Sequence, residues 1–203
     1  TGTPTPTRTP TPQPWLRSGL ASKDVLSLTL DPANPGVVYA GTKQSDVYRR
    51  ASCGSSWQSK GLGSLDSVIL AVASNGHLYA GSWGGGVHKS TDGGDSWTAI
   101  NNGLDHPWVY TIAADPNSSQ GVYVATGDAG VYKTTDGGSS WRAVNNGLGS
   151  LQIRTLAVDP SDSQIVYVGT ADMGIYRSAN GGGHWHWLEG QWAGEHGSLG
   201  CDY

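Results

Sequence analysis

The sequence lacks the residue types from which long helices are built. Among its 203 residues are no phenylalanine, one methionine and only two glutamates, Glu189 and Glu195, and charged residues amount to 14%. Long helices require Glu, Lys, Leu and Ala with little Gly, so these absences argue against a helical protein. No apolar run approaches the roughly 18 residues of a membrane-spanning helix, so membrane insertion is not expected. The net charge of −4 comes without a basic run, so nucleic acid is not an expected partner.

The abundant residues indicate short strands joined by tight turns. The chain has 31 glycines, 9 tryptophans and 9 tyrosines. Aromatic and β-branched residues favour strands, whereas Gly and Asp favour turns. At about 150 residues per domain, the length corresponds to one domain with an appendage. Because the chain begins at Thr1 and shows no signal peptide, we interpret it as a mature product or a fragment.

Residues 1–14 form a Thr/Pro-rich tail. They read TGTPTPTRTPTPQP and predict an extended, polyproline-like stalk or linker. Such tracts are typical of O-glycosylated stalks in exported proteins, although an unmodified linker to another domain has the same composition. The candidate O-glycosylated residues are Thr3, Thr5, Thr7, Thr9 and Thr11. A sequon at Asn117 is a candidate N-glycosylation site, and residues 191–203 are predicted to be a C-terminal tail.

Four similar units repeat within residues 15–190, approximately at 24–63, 66–106, 107–150 and 151–190. Each contains four short strand-like segments, A to D, with strand A predicted at 25–30, 68–73, 109–114 and 153–158. Asp-Pro pairs follow three of the A strands, and after the second one Asn75-Gly76 predicts a tight type I′ turn. Four antiparallel strands per unit predict an all-β fold, a β-propeller of four four-stranded blades.

A short box closes each unit. The second and third boxes read STDGGDSW (90–97) and TTDGGSSW (134–141). The fourth, SANGGGHW (178–185), has an Asn for the Asp, and the first, RASCGSSW (50–57), is degenerate. We predict that the acid accepts backbone N–H bonds, that the second glycine shapes the turn and that the tryptophan packs between blades. The residues assigned to this structural role are Ser90, Asp92, Gly94, Trp97, Thr134, Asp136, Gly138, Trp141, Ser178, Asn180, Gly182, Trp185 and Trp57.

The phrase Ser/Thr-x-Asp-x-Gly-x-Ser-Trp resembles the Asp-box of the BNR-like β-propellers. That family includes sialidases, xyloglucan-cleaving enzymes, sortilin-type receptors and photosystem II assembly factors. The resemblance covers residues 24–190 and implies the fold rather than an activity. A sialidase of this family would need three converging arginines, and only Arg154 stands at the start of a strand A. A xyloglucan-cleaving enzyme would need two opposed carboxylates, for which Asp128 and Asp172 are the pair at equivalent positions.

The sequence does not determine how the ring closes. Residues 15–20, WLRSGL, look like a fifth strand D, and propellers of this family usually have more than four blades. The segment is spare, or the chain is cut from a longer propeller, or subunits complete each other head to tail. Cys53 and Cys201 would meet at the seam of a closed ring, which predicts a disulfide; two unrelated buried thiols are the alternative.

The B–C and D–A loops share one face of the predicted propeller, where we place a candidate ligand site. Its residues are Trp83, Trp108, Asp128, Asp172 and Arg154. Exposed tryptophans beside carboxylates can stack on sugar rings, so carbohydrate binding is one hypothesis, and unspecialised loops are the alternative. His184 and His186 lie on one side of a strand and could bind a metal, but no third ligand is evident nearby.

These features favour a non-catalytic, exported propeller module for cell-surface display, adhesion or self-assembly, including filaments formed by head-to-tail contacts. Its expected location is extracellular or on the cell surface. Further copies of the chain, other surface proteins and glycans are the expected partners, and no cofactor or metal is expected. A carbohydrate-binding propeller and a glycosidase fragment are the alternative functions.

Overall fold

A computed structural model describes residues 19–43, 46–52, 55–63 and 65–188 of the chain. Within these ranges the chain forms 16 β-strands, and it contains no helix that could cross a membrane. The predicted N-terminal stalk, most of the WLRSGL segment and the predicted C-terminal tail lie outside the described residues. The same holds for Cys53, Cys201 and the candidate O-glycosylated threonines, so the disulfide stays a prediction.

Four antiparallel sheets follow one another along the chain, and in each one sequential strands pair as a meander. Blade 1 comprises β1 (Val25–Leu30), β2 (Val38–Thr42), β3 (Val47–Arg50) and β4 (Gln58–Ser59). Blade 2 comprises β5 (Asp66–Val72), β6 (Leu78–Trp83), β7 (Gly86–Ser90) and β8 (Thr98–Ala99). Blade 3 comprises β9 (Val109–Ala114), β10 (Val122–Thr126), β11 (Gly130–Thr134) and β12 (Arg142–Ala143). Blade 4 comprises β13 (Ile153–Val158), β14 (Val166–Thr170), β15 (Ile175–Ser178) and β16 (His186–Leu188). The predicted all-β fold with four propeller blades is thereby confirmed.

Two local predictions in blade 2 are wrong. Strand β5 starts at Asp66, two residues before the predicted start, because an irregularity with Ser67 at φ 52° extends the strand past the apolar run. The Asn75-Gly76 turn is not type I′, which needs positive φ at both central residues, since only Gly76 has one (81°). Instead, the Asn75 side chain accepts a bond from the His77 N–H at 3.1 Å, an Asx-type turn.

The hydrophobic core is divided among the interfaces between successive blades. Between blades 2 and 3, Tyr79 and Val87 pack against Ile112 and Val124, and equivalent clusters join blade 1 to blade 2 and blade 3 to blade 4. The second strands β6 and β10 are buried on both faces because each has a neighbouring blade on either side. At about 1.5–3 kcal/mol per buried large apolar side chain, these interfaces are the main source of stability.

The first and last blades differ from this pattern. No comparable core cluster joins blade 4 to blade 1 in the part of the chain that the structure describes. Leu28 of β1 and Ile175 of β15, whose equivalents in the other blades are buried, are both exposed. Within the described ranges, the four blades therefore form a succession with two end faces that no other blade covers.

Candidate functional site

The box of blade 2 is a hydrogen-bonded loop that closes on itself. The Asp92 carboxylate accepts bonds from the Ser90 hydroxyl at 2.8 Å, the Ser96 N–H at 2.9 Å and the Ser96 hydroxyl at 2.5 Å. The Ser90 hydroxyl accepts in turn from the Gly94 N–H at 2.9 Å. Gly94 has φ 93°, a left-handed conformation that other residues resist. The hydrogen bonds from Ser96 and then Ser90 hold the pKa of the Asp92 carboxyl well below its usual range.

The box of blade 3 repeats this geometry. Asp136 accepts from the Thr134 hydroxyl at 2.6 Å and from the Ser140 N–H and hydroxyl at 3.0 and 2.6 Å. Bonds from Ser140 and then Thr134 lower the pKa of the Asp136 carboxyl strongly. Because every bond serves the loop itself, the carboxylate acts as a turn former, and its oxygens are already engaged.

The box of blade 4 keeps the loop without a carboxylate, whereas the described part of the first box has a different pair of hydrogen bonds. In blade 4, one Asn180 oxygen accepts from the Ser178 hydroxyl at 2.9 Å and from the His184 N–H at 2.8 Å, and Gly182 has φ 90°. In the degenerate first box, the Ser55 hydroxyl accepts from the Ser52 N–H at 3.1 Å and donates to the Ser52 carbonyl at 2.8 Å. The negative charge is therefore dispensable for the loop.

The tryptophans that end the boxes of blades 2, 3 and 4 connect each of these blades to the preceding one. Trp97 Nε1 donates to the Lys60 carbonyl oxygen at 3.0 Å, and Trp185 Nε1 donates to the Val144 carbonyl oxygen at 2.6 Å. Trp141 makes the same bond to the Ile100 carbonyl oxygen at 2.6 Å and lies in the core between blades 2 and 3. Trp57 closes the first box. Trp97, Trp141 and Trp185 hold the blade array together rather than present a binding surface.

A cleft of about 520 Å³ lies on the face formed by the B–C and D–A loops, across blades 1 to 3. The first strand of each blade starts at this face and the second strand ends there, because all blades have the same orientation. The residues that line it are Leu26, Lys43, Asp66, Ser67, Ile69, Trp83 and Tyr110. The cleft thus combines an apolar and aromatic floor with one cation and one carboxylate.

An aromatic and cationic stack runs from the cleft towards blade 4. Trp83, which is 48% exposed, meets Tyr110 edge to face with ring centroids 5.4 Å apart. The Arg154 guanidinium carbon lies 5.4 Å from the centroid of the Tyr110 ring, within cation–π range. Two of the predicted ligand residues, Trp83 and Arg154, are therefore connected through Tyr110.

Sequence reasoning did not find the acidic side of this cleft. Asp66 and Ser67 belong to the irregular start of β5, where the Ser67 hydroxyl donates to the Asp66 carboxylate at 3.1 Å and the Ser67 N–H donates to the Lys43 carbonyl at 3.2 Å. These bonds turn the segment into the cleft mouth. Asp66 precedes an apolar run and carries no motif, so its sequence offered no signal.

The remaining predicted ligand residues lie on the same loops without lining this cleft. Trp108 is exposed, meets His106 edge to face at 5.2 Å between centroids, and lies close to Gly84. Asp128 and Asp172 are exposed in equivalent turns, and their carboxylates make no hydrogen bond within the described ranges. The carboxylate that does line the cleft is Asp66, and Arg154 reaches the cleft only through its contact with Tyr110.

His184 and His186 lie together, with ring centroids 4.6 Å apart. Among the described residues, no group of three or more His, Cys, Asp or Glu side chains is arranged to hold a metal ion. Glu189, which follows this strand, lies outside the described residues. Asn117 is exposed in the turn after β9, and its side-chain nitrogen donates to the Pro160 carbonyl at 3.2 Å.

Comparisons with known proteins agree with this architecture. Residues 85–194, more than half of the chain, match the model of the Sortilin-Vps10 family, described as sortilin, neurotensin receptor 3. No curated protein sequence matches the chain. An ancestral GH74 enzyme is a similar solved structure, with a TM-score of 0.70 and 26% identity over 86% of this chain and 25% of that one.

Two further solved structures share the fold. The GH74 xyloglucanase from Xanthomonas campestris has a TM-score of 0.62 and 20% identity over 86% of this chain and 31% of its own. YCF48 from Cyanidioschyzon merolae has a TM-score of 0.61 and 14% identity over 83% of this chain and 57% of its own. The chain thus spans between a quarter and somewhat over half of the length of these structures.

Proposed function

The chain belongs to the Sortilin-Vps10 family, and from this premise we propose that it is a non-catalytic, exported propeller module that acts by self-assembly in surface display or adhesion. The observation that carries the proposal is the pair of uncovered end faces. Leu28 and Leu30 are exposed at one end of the blade array, and Ile175 and Leu188 at the other. Contiguous exposed apolar side chains on a soluble domain mark sites of protein association.

The arrangement of carboxylates supports the non-catalytic part of the proposal. Hydrolysis of a glycosidic bond ordinarily uses two carboxyl groups that face each other across the substrate. The cleft is lined by one carboxylate, Asp66, while Asp92 and Asp136 are engaged within their own loops. One carboxylate among the described residues that line the cleft, beside a lysine and apolar or aromatic side chains, favours holding a ligand over cleaving it.

The association state of the full chain tests this function. We expect light scattering after size exclusion, and negative-stain electron microscopy, to find multimers between about 1 and 100 μM. Because the end faces are apolar, association should persist from about 0.1 to 1 M NaCl, where surface ion pairs are screened. A chain that stays monomeric throughout contradicts self-assembly. Release of reducing ends from xyloglucan oligosaccharides contradicts the non-catalytic assignment.

Export is tested on protein purified from its natural source. We expect intact-mass spectrometry to find hexose-containing adducts on the Thr/Pro-rich tail or on Asn117, which is exposed in the turn after β9. Digestion of intact cells with a protease should remove the protein if it is displayed on the surface. Survival of the full signal in intact cells, with loss only after lysis, contradicts the proposed location.

Carbohydrate binding is the second candidate, favoured by the stack of Trp83, Tyr110 and Arg154 at the cleft. An exposed indole face presents apolar area to a sugar ring, while Lys43 and Asp66 on the cleft wall can bond hydroxyl groups. The site would be suited to a neutral oligosaccharide that lies along the cleft.

Binding of an oligosaccharide panel to the full chain tests this candidate. Trp83→Ala should weaken binding about tenfold or more, which corresponds to about 1.4 kcal/mol. Trp187→Ala is the matched control, because Trp187 is similarly exposed but belongs to β16 and not to the cleft. A blank panel, or equal losses in both variants, rejects the cleft as a sugar site.

A further inference from the structure

The three internal blade interfaces are built from the same register positions. Each blade has a forward face, which contacts the next blade, and a rear face, which contacts the preceding one. At the interface of blades 3 and 4, Val131 on the forward face and Leu156 on the rear face belong to one cluster. Val87 with Ile112, and Val47 with Leu70, are the corresponding pairs at the other two interfaces. The same type of interface therefore occurs three times within the chain.

The rear face of blade 1 carries the same chemistry, but no blade among the described residues packs against it. Leu28 pairs with Ala40 on β2, as Leu156 pairs with Val168 on β14, so the two leucines occupy one register position. Leu28 is 66% exposed, whereas Leu156 is 7% exposed. Leu30, two residues further along the same side of β1, is exposed as well.

The forward face of blade 4 is its counterpart. Ile175 pairs with Gly169, as Val131 pairs with Ala125, but Ile175 is 52% exposed whereas Val131 is fully buried. Leu188, which pairs with Ile175 on β16, is also exposed.

A polar pair accompanies each forward face. Tyr123 and Lys133 of blade 3 both donate to the Gly181 carbonyl oxygen in the blade 4 box, at 3.1 and 3.0 Å. On the forward face of blade 4, Tyr167 and Arg177 hold the same paired positions across β14 and β15. An apolar patch with two donors in this register is shaped for the rear of another blade.

Resting on the proposed self-assembly, we propose that the occupant is a second copy of this chain, whose blade 1 docks by its rear face on the forward face of blade 4. Ile175 then contacts Leu28 of the other copy as Val131 contacts the Leu156 cluster. We choose this partner because the internal interfaces join a forward face to a rear face. The forward face of blade 4 therefore requires a rear face of the same register, and blade 1 of the same chain has one. The contact joins two different surfaces, so it is head to tail and produces a closed ring or a filament.

Complementation between two blocked variants of the full chain tests this arrangement. Leu28→Asp disables the rear face and Ile175→Asp disables the forward face, since each places a charge in the apolar contact. Each variant alone should associate about 100-fold or more weakly than the parent protein. An equimolar mixture retains one intact pair of faces and should give heterodimers and nothing larger. Leu30→Asp is a second rear-face variant, and Leu151→Asp, an exposed apolar position in the connection between blades 3 and 4, is the matched control that should associate as the parent does.

The outcomes separate this proposal from the more general one. If the parent protein stays monomeric, self-assembly itself is wrong. If the parent associates but the blocked variants associate equally well, or their mixture gives no heterodimer, self-assembly stands and the head-to-tail contact is wrong. Far-ultraviolet circular dichroism of each variant verifies the fold.

Discussion

Leu156→Ala and Leu28→Ala form a matched pair of perturbations at one register position of the repeat. Both leucines lie on the first strand of a blade and point to its rear face. Only Leu156 has a preceding blade against it, and this residue is 7% exposed against 66% for Leu28. Any difference between the variants therefore reports on that neighbour, since chemistry and local strand geometry are the same.

The expected losses follow from burial. Removal of the three outer carbons of a buried leucine costs about 0.8 kcal/mol per carbon in transfer free energy, and the cavity left behind raises the total to about 3–5 kcal/mol. About a third of that transfer term applies to Leu28, and an exposed site leaves no cavity, so its loss should stay below about 1 kcal/mol. The two variants should differ by at least about 2 kcal/mol in the free energy of unfolding.

Urea unfolding followed by tryptophan fluorescence measures both losses, at a concentration low enough to keep the chain monomeric. We expect a large fall in midpoint for Leu156→Ala with an unchanged slope, and a small one for Leu28→Ala. Equal losses in monomeric protein would refute the reasoning, because they would require a neighbour on the rear face of blade 1 within a single copy.

Three further outcomes are expected. Asp136→Asn should keep the fold, as the natural asparagine in the fourth box does. Because the pKa of the Asp136 carboxyl is lowered in the folded protein, this group stabilises the fold above its unfolded pKa, and the stabilisation is lost on acidification. Urea midpoints measured against pH should therefore fall less steeply in the variant between about pH 4 and pH 2. Gly138→Ala should cost more than about 1 kcal/mol, because φ is 94° and the new methyl group meets Ile100, whereas Gly61→Ala, with open space around it, should stay within about 0.5 kcal/mol in the same assay. Trp141→Phe should cost about 1–3 kcal/mol in calorimetry, because the Ile100 carbonyl loses its indole donor; an unchanged melting temperature would contradict that role.

Local patterning predicts most of the fold. Strands β1, β9 and β13 begin and end where their apolar runs and the following Asp-Pro turns place them. Asp31, Asp115 and Asp159 form these turns by accepting backbone N–H bonds two residues further on. Strand β5 departs from the pattern because its first residues are fixed by a bond between Ser67 and Lys43 of the neighbouring blade, a contact that no local pattern records.

The cleft is less predictable, because it depends on how far side chains reach across blades. Trp83 and Arg154 come from loops of different blades, and Tyr110 is long enough to connect them. Asp128 and Asp172 are on equivalent loops, but their short side chains end in solvent at the turns. The repeat predicts which residues lie on the loop face. Which of these residues meet at one cleft depends on the curvature of the blade array, which the sequence pattern does not give.

The exposure of the end faces cannot be predicted from the local sequence. Leu28 and Leu156 are the same residue at the same register position, so nothing in the local sequence distinguishes the exposed one from the buried one. A repeat that buries its apolar face only against the next repeat leaves two half-interfaces in any open array, and capped arrays resolve this with polar side chains at their outer faces. Here the two positions carry Leu28 and Ile175, which are apolar like their buried equivalents. Both end blades therefore retain the apolar side chains of a blade that has a neighbour. The association experiment tests whether a second copy of the chain provides that neighbour.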